Sequence, residues 1–153
     1  MDTISPDFAR MFGQSVYIDT NVFIYFLDRS PTFLPVVAPF LRAVMDGRII
    51  GYTGVAVIAE TMVKPYKIGD VAIIGKFKDF FYQKDFLTIL PHDPAIFDLA
   101  SQISAKNSMK LIDSLHLATA VQGGCNYLIT HDGGFKPMGG VEIVLLRNLV
   151  ADS

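Results

Sequence analysis

Tryptophan is absent and cysteine occurs once, at Cys125, among 153 residues. A lone cysteine closes no internal disulfide, so the fold must be held by its core, and Cys125 reads as a small buried thiol. A surplus of positive charge is missing too: 13 Lys and Arg face 15 Asp and Glu, a net charge of -2. That excludes attachment to nucleic acid by bulk electrostatics, and any contact with RNA or DNA has to be local. No basic segment runs into an apolar one after Met1-Asp2-Thr3, so no secretory leader is expected and the chain reads as cytoplasmic. Long apolar runs are lacking as well. The most apolar stretch, residues 49–59, is broken by Gly51, Thr53 and Gly54, far short of the roughly 20 residues that cross a bilayer. What is present is a 51% apolar, 18% charged composition, which rules out a disordered chain. With no repeat or Gly/Ser/Pro-rich linker, residues 1–153 are expected to form one domain, in keeping with about 100–200 residues per domain.

The apolar residues are grouped in two ways. Ser15-Val16-Tyr17-Ile18, residues 49–53, 86–90, 127–130 and 141–146 are short β-branched and aromatic runs that read as strands. Between them, Leu34, Val37, Ala38, Leu41, Val44 and Met45 recur at helical steps up to Gly47, and Val55, Ile58, Ala59 and Met62 share one helical face up to Pro65. Residues 70–82 form a further predicted helix, with Ile73, Phe77, Phe80 and Phe81 inward. Asp93-Pro94 opens the next, since Asp can cap free N–H groups and Pro fits a first turn; its stripe is Ile96, Leu99, Ala100 and Ile103, and Asn107-Ser108 ends it. A last helix runs from Asp113 to Gly123-Gly124. Continuous apolar strands alternating with helices predict an α/β fold: a three-layer α/β/α sandwich around a mostly parallel sheet of four to five strands.

Ligands of such sheets bind beyond the carboxyl ends of the strands. Asp19 directly follows Val16-Tyr17-Ile18, and Asp132 follows Leu128-Ile129-Thr130-His131, so both carboxylates are expected at one edge. Glu60 stands one position off a buried helical stripe, and Asp113 opens a helix. Singly, each has a plain explanation: Asp19 accepting N–H bonds in a turn over Thr20-Asn21, Asp113 balancing a helix dipole, Glu60 as a helix former on a half-exposed face. Together, four carboxylates around one cleft need a partner. Two like charges 4 Å apart repel by about 4 kcal/mol at an effective dielectric of about 20, so the acids must protonate or bind a cation. An oxygen-only donor set suits Mg²⁺ or Mn²⁺, and a water on such an ion is a nucleophile for phosphodiester hydrolysis.

These residues resemble the PIN domain, and within it the VapC-type toxin ribonucleases of toxin–antitoxin pairs. The resemblance runs from Val16 to Leu146: Val16-Tyr17-Ile18-Asp19-Thr20-Asn21 at the first strand, Glu60 in Val57-Ile58-Ala59-Glu60, Asp113 heading Asp113-Ser114-Leu115-His116-Leu117-Ala118-Thr119-Ala120, and Thr130-His131-Asp132 with Phe135 soon after. It implies RNase activity with Mg²⁺ or Mn²⁺, an RNA substrate, an antitoxin that blocks the cleft, and a homodimer. By the same resemblance Asp19 and Asp132 are the most direct metal ligands, Asp113 and Glu60 complete the site, and Asn21 and Thr130 support the carboxylates. Two places depart from the family pattern, His131 where Asn is usual and Gly133-Gly134 beside Asp132, where a looser loop is expected. They motivate an alternative, a PIN-like module that binds RNA or protein without cutting. A phosphoaspartyl enzyme would need a second acid or a lysine close to Asp19, and only Thr20-Asn21 follow it.

Other polar residues carry simpler expectations. His116 is expected to pack or bond locally, His92 to lie in a loop, and Lys106 and Lys110 to be solvated ends that could approach a phosphate. Phe77, Phe80 and Phe81 read as core or as a dimer seam.

Overall fold

The computed structural model describes residues 5–149; the reading at Met1-Asp2-Thr3 lies outside them. In chain order the elements are α1 (Pro6–Ala9), β1 (Ser15–Ile18), α2 (Thr20–Leu27), α3 (Leu34–Met45), β2 (Ile50–Gly54), α4 (Val55–Ile68), α5 (Val71–Tyr82), β3 (Leu87–Leu90), α6 (Pro94–Asn107), α7 (Leu111–Gln122), β4 (Tyr127–Thr130) and β5 (Glu142–Leu145), followed by a 3₁₀ turn at Leu146–Leu149. The five strands make one sheet in the order β3-β2-β1-β4-β5, every pairing parallel. The expected α/β sandwich is therefore the fold found, with a sheet that is wholly parallel.

Strand order fixes where the helices lie. The chain steps outward from β1 to β2 to β3, then returns past both to β4 and β5. Because parallel crossovers are right-handed, the outward steps lay α2–α5 on one face and the return lays α6 and α7 on the other. Packing agrees: α2 contacts α3 and α4, α4 contacts α5, and α6 lies against α7. Side chains of β1 alternate accordingly. Tyr17 reaches α7, while the Gly51 position, paired with Val16, faces Val44 of α3. The central strand is covered on both sides, so Val16, Tyr17 and Ile18 are all fully buried.

The phenylalanines of α5 settle into this core. Phe23 of α2 meets Phe81 edge-on at 5.0 Å and Phe80 at 6.0 Å, geometry that suits the charge distribution of aromatic rings. Phe77, Phe80 and Phe81 are all buried, whereas Ile73, expected inward, is 36% exposed and Ile74 packs in its place.

Three local readings are corrected. Thr20 and Asn21 are not a turn: Asp19 is the N-cap, and Thr20 and Asn21 begin helix α2. Pro65 does not end α4, which continues to Ile68 and stops at Gly69, in the left-handed region at φ 75°. Pro65 forgoes one helical N–H but is itself buried, and the Gly69 N–H bonds the Pro65 carbonyl at 2.9 Å. Helix α7 starts two residues before Asp113, which puts that acid in the first turn instead of at the opening position.

The neighbours β1 and β4 are the point where the chain's direction across the sheet reverses. Their outgoing connections diverge to opposite faces, leaving a crevice at their carboxyl ends.

Candidate functional site

Asp19 caps α2 at that crevice and is 5% exposed. Its Oδ1 accepts the Thr20 N–H at 2.8 Å and its Oδ2 accepts the Thr130 hydroxyl at 2.7 Å. The Thr130 oxygen in turn accepts the Asp132 N–H at 3.0 Å. One hydroxyl at the end of β4 thus ties together the acids that follow β1 and β4. Asn21 adds a second tie, its Oδ1 accepting the His131 N–H at 3.2 Å.

Asp132 Oδ1 accepts the Gly134 N–H at 2.8 Å, and a Cβ at Gly134 would approach that same oxygen to 3.2 Å. Gly134 thus lets the loop fold back on Asp132, while a side chain at Gly133 would meet open space. His131 is edge-on to Tyr25 and Phe33, at 5.6 and 4.9 Å, which anchors the loop from the other side.

Glu60, half-exposed on α4, receives two bonds on one oxygen: the Thr20 hydroxyl at 2.8 Å and His116 Nε2 at 2.8 Å. Asp113 stands near both other aspartates. Burial, then the charges of Asp132 and Asp19, and the Asp132 carboxyl close enough to share a proton, raise its pKa to about 6. Asp19 is also raised, by burial first, against the opposing pull of His116 and the bonds from Thr130 and Thr20. For Glu60 burial pushes upward too, but the His116 and Thr20 hydrogen bonds outweigh it and hold the carboxyl below its ordinary range. All four acids therefore share one locale, Asp19, Asp113 and Asp132 through their mutual fields, and Glu60 through Thr20 and His116.

Compensating positive charge is scarce here. The lysine and arginine ion pairs among the described residues lie elsewhere, joining Arg10 to Asp7 and Glu142, Arg48 to Asp46, and Lys64 to Asp28. Only His116 comes within ion-pair range of the site, 2.8 Å from Glu60 and 3.9 Å from Asp19.

Two histidines have larger parts than their sequence context indicates. His116 is 1% exposed and reaches across the fold to Glu60 and Tyr17, where a local role was expected. The available signal was a single polar ring in the apolar run 115–120, which must find a partner once buried. His92 lies in the loop between β3 and α6, as expected, but both its nitrogens are engaged. Its Nε2 accepts the Ala56 N–H at 2.9 Å, capping α4 in place of the missing side chain of Gly54, and its Nδ1 bonds Thr119 Oγ1 at 2.8 Å. Lys110 is the N-cap position of α7 and makes no side-chain cap bond, and Lys106 lies in the last turn of α6.

The sequence profile described as PIN domain matches residues 16–141. The chain belongs to the PIN-domain family. Comparison with curated proteins finds no match. Among solved structures, this PIN domain is similar to Mycobacterium tuberculosis VapC20, a sarcin-ricin loop cleaving toxin, at 11% identity and TM-score 0.63, covering 77% of this chain and 90% of that one. It is similar to a toxin–antitoxin complex from Klebsiella pneumoniae at 20% identity and TM-score 0.63, covering 82% and 94%. It also resembles Rickettsia felis VapBC2 bound to a promoter DNA fragment, at 15% identity and TM-score 0.67, covering 86% and 98%. At these identities the likeness is one of fold.

The chemistry of the donors fits a hard divalent cation. All four are carboxylates, no lysine or arginine among the described residues pairs with them, and burial, then the charges of Asp132 and Asp19, push Asp113 up to about 6. Among the described residues no three Asp, Glu, His or Cys side chains stand gathered as a ready ligand group. The acids are placed around the crevice, with His116 beside Glu60 and Asp19 and no cation beside Asp113 and Asp132 among the ion pairs of the described residues.

Proposed function

We propose that this PIN domain is a metal-dependent endoribonuclease and the toxin of a toxin–antitoxin pair. The observation that carries the reading is the linkage Asp19–Thr130–Asp132 at the sheet's reversal point, with Asp113 crowded beside it and no basic side chain but His116 in range. Asp19, Asp113, Asp132 and Glu60 would hold Mg²⁺ or Mn²⁺, which lowers the pKa of bound water and offsets charge on a phosphate. The chain's own contribution is to place the acids. Thr130 holds Asp19 and the backbone of Asp132 in register, Asn21 pins the loop at His131, and Thr20 orients both Asp19 and Glu60.

The comparisons support the partners in kind: two of the similar structures are described as toxin–antitoxin assemblies. RNA as substrate, an antitoxin over the crevice, a homodimer and a cytoplasmic location complete the reading. Among the described residues no helix is long and apolar enough to cross a membrane.

The deciding experiment is cleavage of single-stranded RNA by the purified chain with Mg²⁺ or Mn²⁺, with EDTA, and with Asp19→Asn. Asparagine keeps an acceptor for the Thr20 N–H, so the fold should persist. Cleavage should fall by about 10²-fold or more, the scale of the several kcal/mol that such an ion supplies. Activity that survives both EDTA and Asp19→Asn refutes the proposal. The second reading, binding without cutting at a retained cation site, rests on the departures at His131 and Gly133-Gly134. It predicts Mn²⁺ heat in calorimetry with no RNA product.

A further inference from the structure

The ribonuclease reading uses the four acids and leaves one buried ring without a task. Both nitrogens of His116 are engaged: Nδ1 lies 2.9 Å from Tyr17 Oη and Nε2 lies 2.8 Å from Glu60 Oε1. The direction of each bond follows from its partner. A carboxylate oxygen accepts, and the Thr20 hydroxyl already donates to the same Glu60 oxygen, so the proton of this bond sits on Nε2. Tyr17 is fully buried, and with the proton on Nε2 the bare Nδ1 is the acceptor its phenol O–H meets. The 2.9 Å separation is thus a bond from the Tyr17 O–H to Nδ1. Gly54 is also what makes room for this arrangement, because a Cβ there would run into the Tyr17 hydroxyl and the His92 ring.

The consequence falls on Glu60. Its Oε1 receives two donors, Thr20 Oγ1–H and His116 Nε2–H, and no donor among the described residues reaches Oε2. A carboxylate held twice through one oxygen has its plane set and its other oxygen left over. Burying the ring obliges both nitrogens to find partners, and here one of the two partners is a site carboxylate.

We propose that His116 is a positioning residue for Glu60, fixed in its Nε2–H tautomer by Tyr17, and that this chain of hydrogen bonds determines which carboxylate oxygen Glu60 offers to the cleft. The proposal rests on the ribonuclease reading for its purpose, though not for its geometry.

Two measurements on the full chain test it. In ¹⁵N-labelled protein at about pH 7.5, long-range proton–nitrogen spectra should show His116 with Nδ1 bare and Nε2 protonated, and Tyr17→Phe should lose that single tautomer while keeping its backbone fingerprint. In cleavage of a single-stranded RNA oligonucleotide with saturating Mn²⁺, Tyr17→Phe should lower kcat about 10-fold at unchanged KM and His116→Leu about 100-fold, the range for partners that orient ligands. His116→Gln, which returns an N–H towards Glu60, should recover part of the loss. An Nδ1–H tautomer in the wild type, wild-type kcat in Tyr17→Phe, or His116→Gln no better than a folded His116→Leu overturns the proposal. Should His116→Leu fail to fold, Tyr17→Phe and the tautomer decide. A wild type that cuts no RNA, or whose cutting survives Asp19→Asn, refutes the ribonuclease reading instead, and the nitrogen spectra still decide whether Tyr17 sets His116.

Discussion

Gly54 shows how tightly single residues are bound to the site. The Tyr17 hydroxyl and the His92 imidazole occupy the space a side chain would need. Gly54→Ala should therefore cost about 1–3 kcal/mol, as overpacking does, in urea unfolding, and should disturb the Tyr17–His116 bond as well. His92 makes a separate prediction. Its Nε2 accepts the Ala56 N–H, so protonation there removes the α4 cap. Burial holds its pKa below the ordinary value. The folded state thus binds fewer protons than the unfolded one, so this stabilisation is full above about pH 6.5 and is lost as pH falls through the folded value. His92→Gln should flatten the stability profile between about pH 7.5 and pH 5; a profile as steep as wild type would refute the cap. At this scale the sequence discloses the acids better than their supports. Asp19 and Asp132 stand directly after apolar strands and can be read there. His116 and Glu60 are 56 positions apart, and His92 and Ala56 are 36 apart, distances over which no local pattern operates.

Elements divide in the same way, by whether their signals are local. Helix α6 was legible because its start is chemically explicit: Asp93 Oδ1 accepts the Ile96 N–H at 2.9 Å, and Pro94 takes the first position. Asp93→Ala should cost about 1 kcal/mol in denaturant unfolding, the usual worth of such a cap, and a cost near zero would show that tertiary packing alone holds this helix. Helix α2 was not legible. Residues 22–27 are apolar without a break, which gives no stripe to distinguish helix from strand. What decides it is tertiary: Val22 and Phe23 are buried, and Phe23 meets the rings of α5. The run of α4 past Pro65 has the same origin, a buried proline and a left-handed glycine four residues on.

For the whole molecule, charge is the governing quantity. The proposed reading sets four of the 15 acids, Asp19, Glu60, Asp113 and Asp132, to work at one crevice. An acid whose folded pKa is raised holds its proton more tightly folded than unfolded, so without metal the Asp113 region loses stability as pH rises from about 4 to about 6. Mn²⁺ should therefore raise the thermal midpoint more above pH 6 than at about pH 5; an equal shift at both would place the ion elsewhere. RNA binding should likewise need the ion and show a shallow salt slope, since few cations stand nearby. A steep slope without metal would point to a basic surface instead. The sandwich itself was readable because strand runs and helical stripes alternate along the chain, whereas the strand order that creates the crevice is a property of the assembled sheet.

That strand order also governs when activity can begin during synthesis. The Thr130 hydroxyl that grips Asp19 comes 111 positions later in the chain. On the ribosome, β1, β2 and β3 can pair as they emerge, since they are neighbours in that order, but β4 must enter beside β1 after everything between has been made. Until then one flank of Asp19 is open and Asp132 does not yet exist. On the ribonuclease reading proposed above, the cleft therefore stays unarmed until β4 has been made and has entered beside β1.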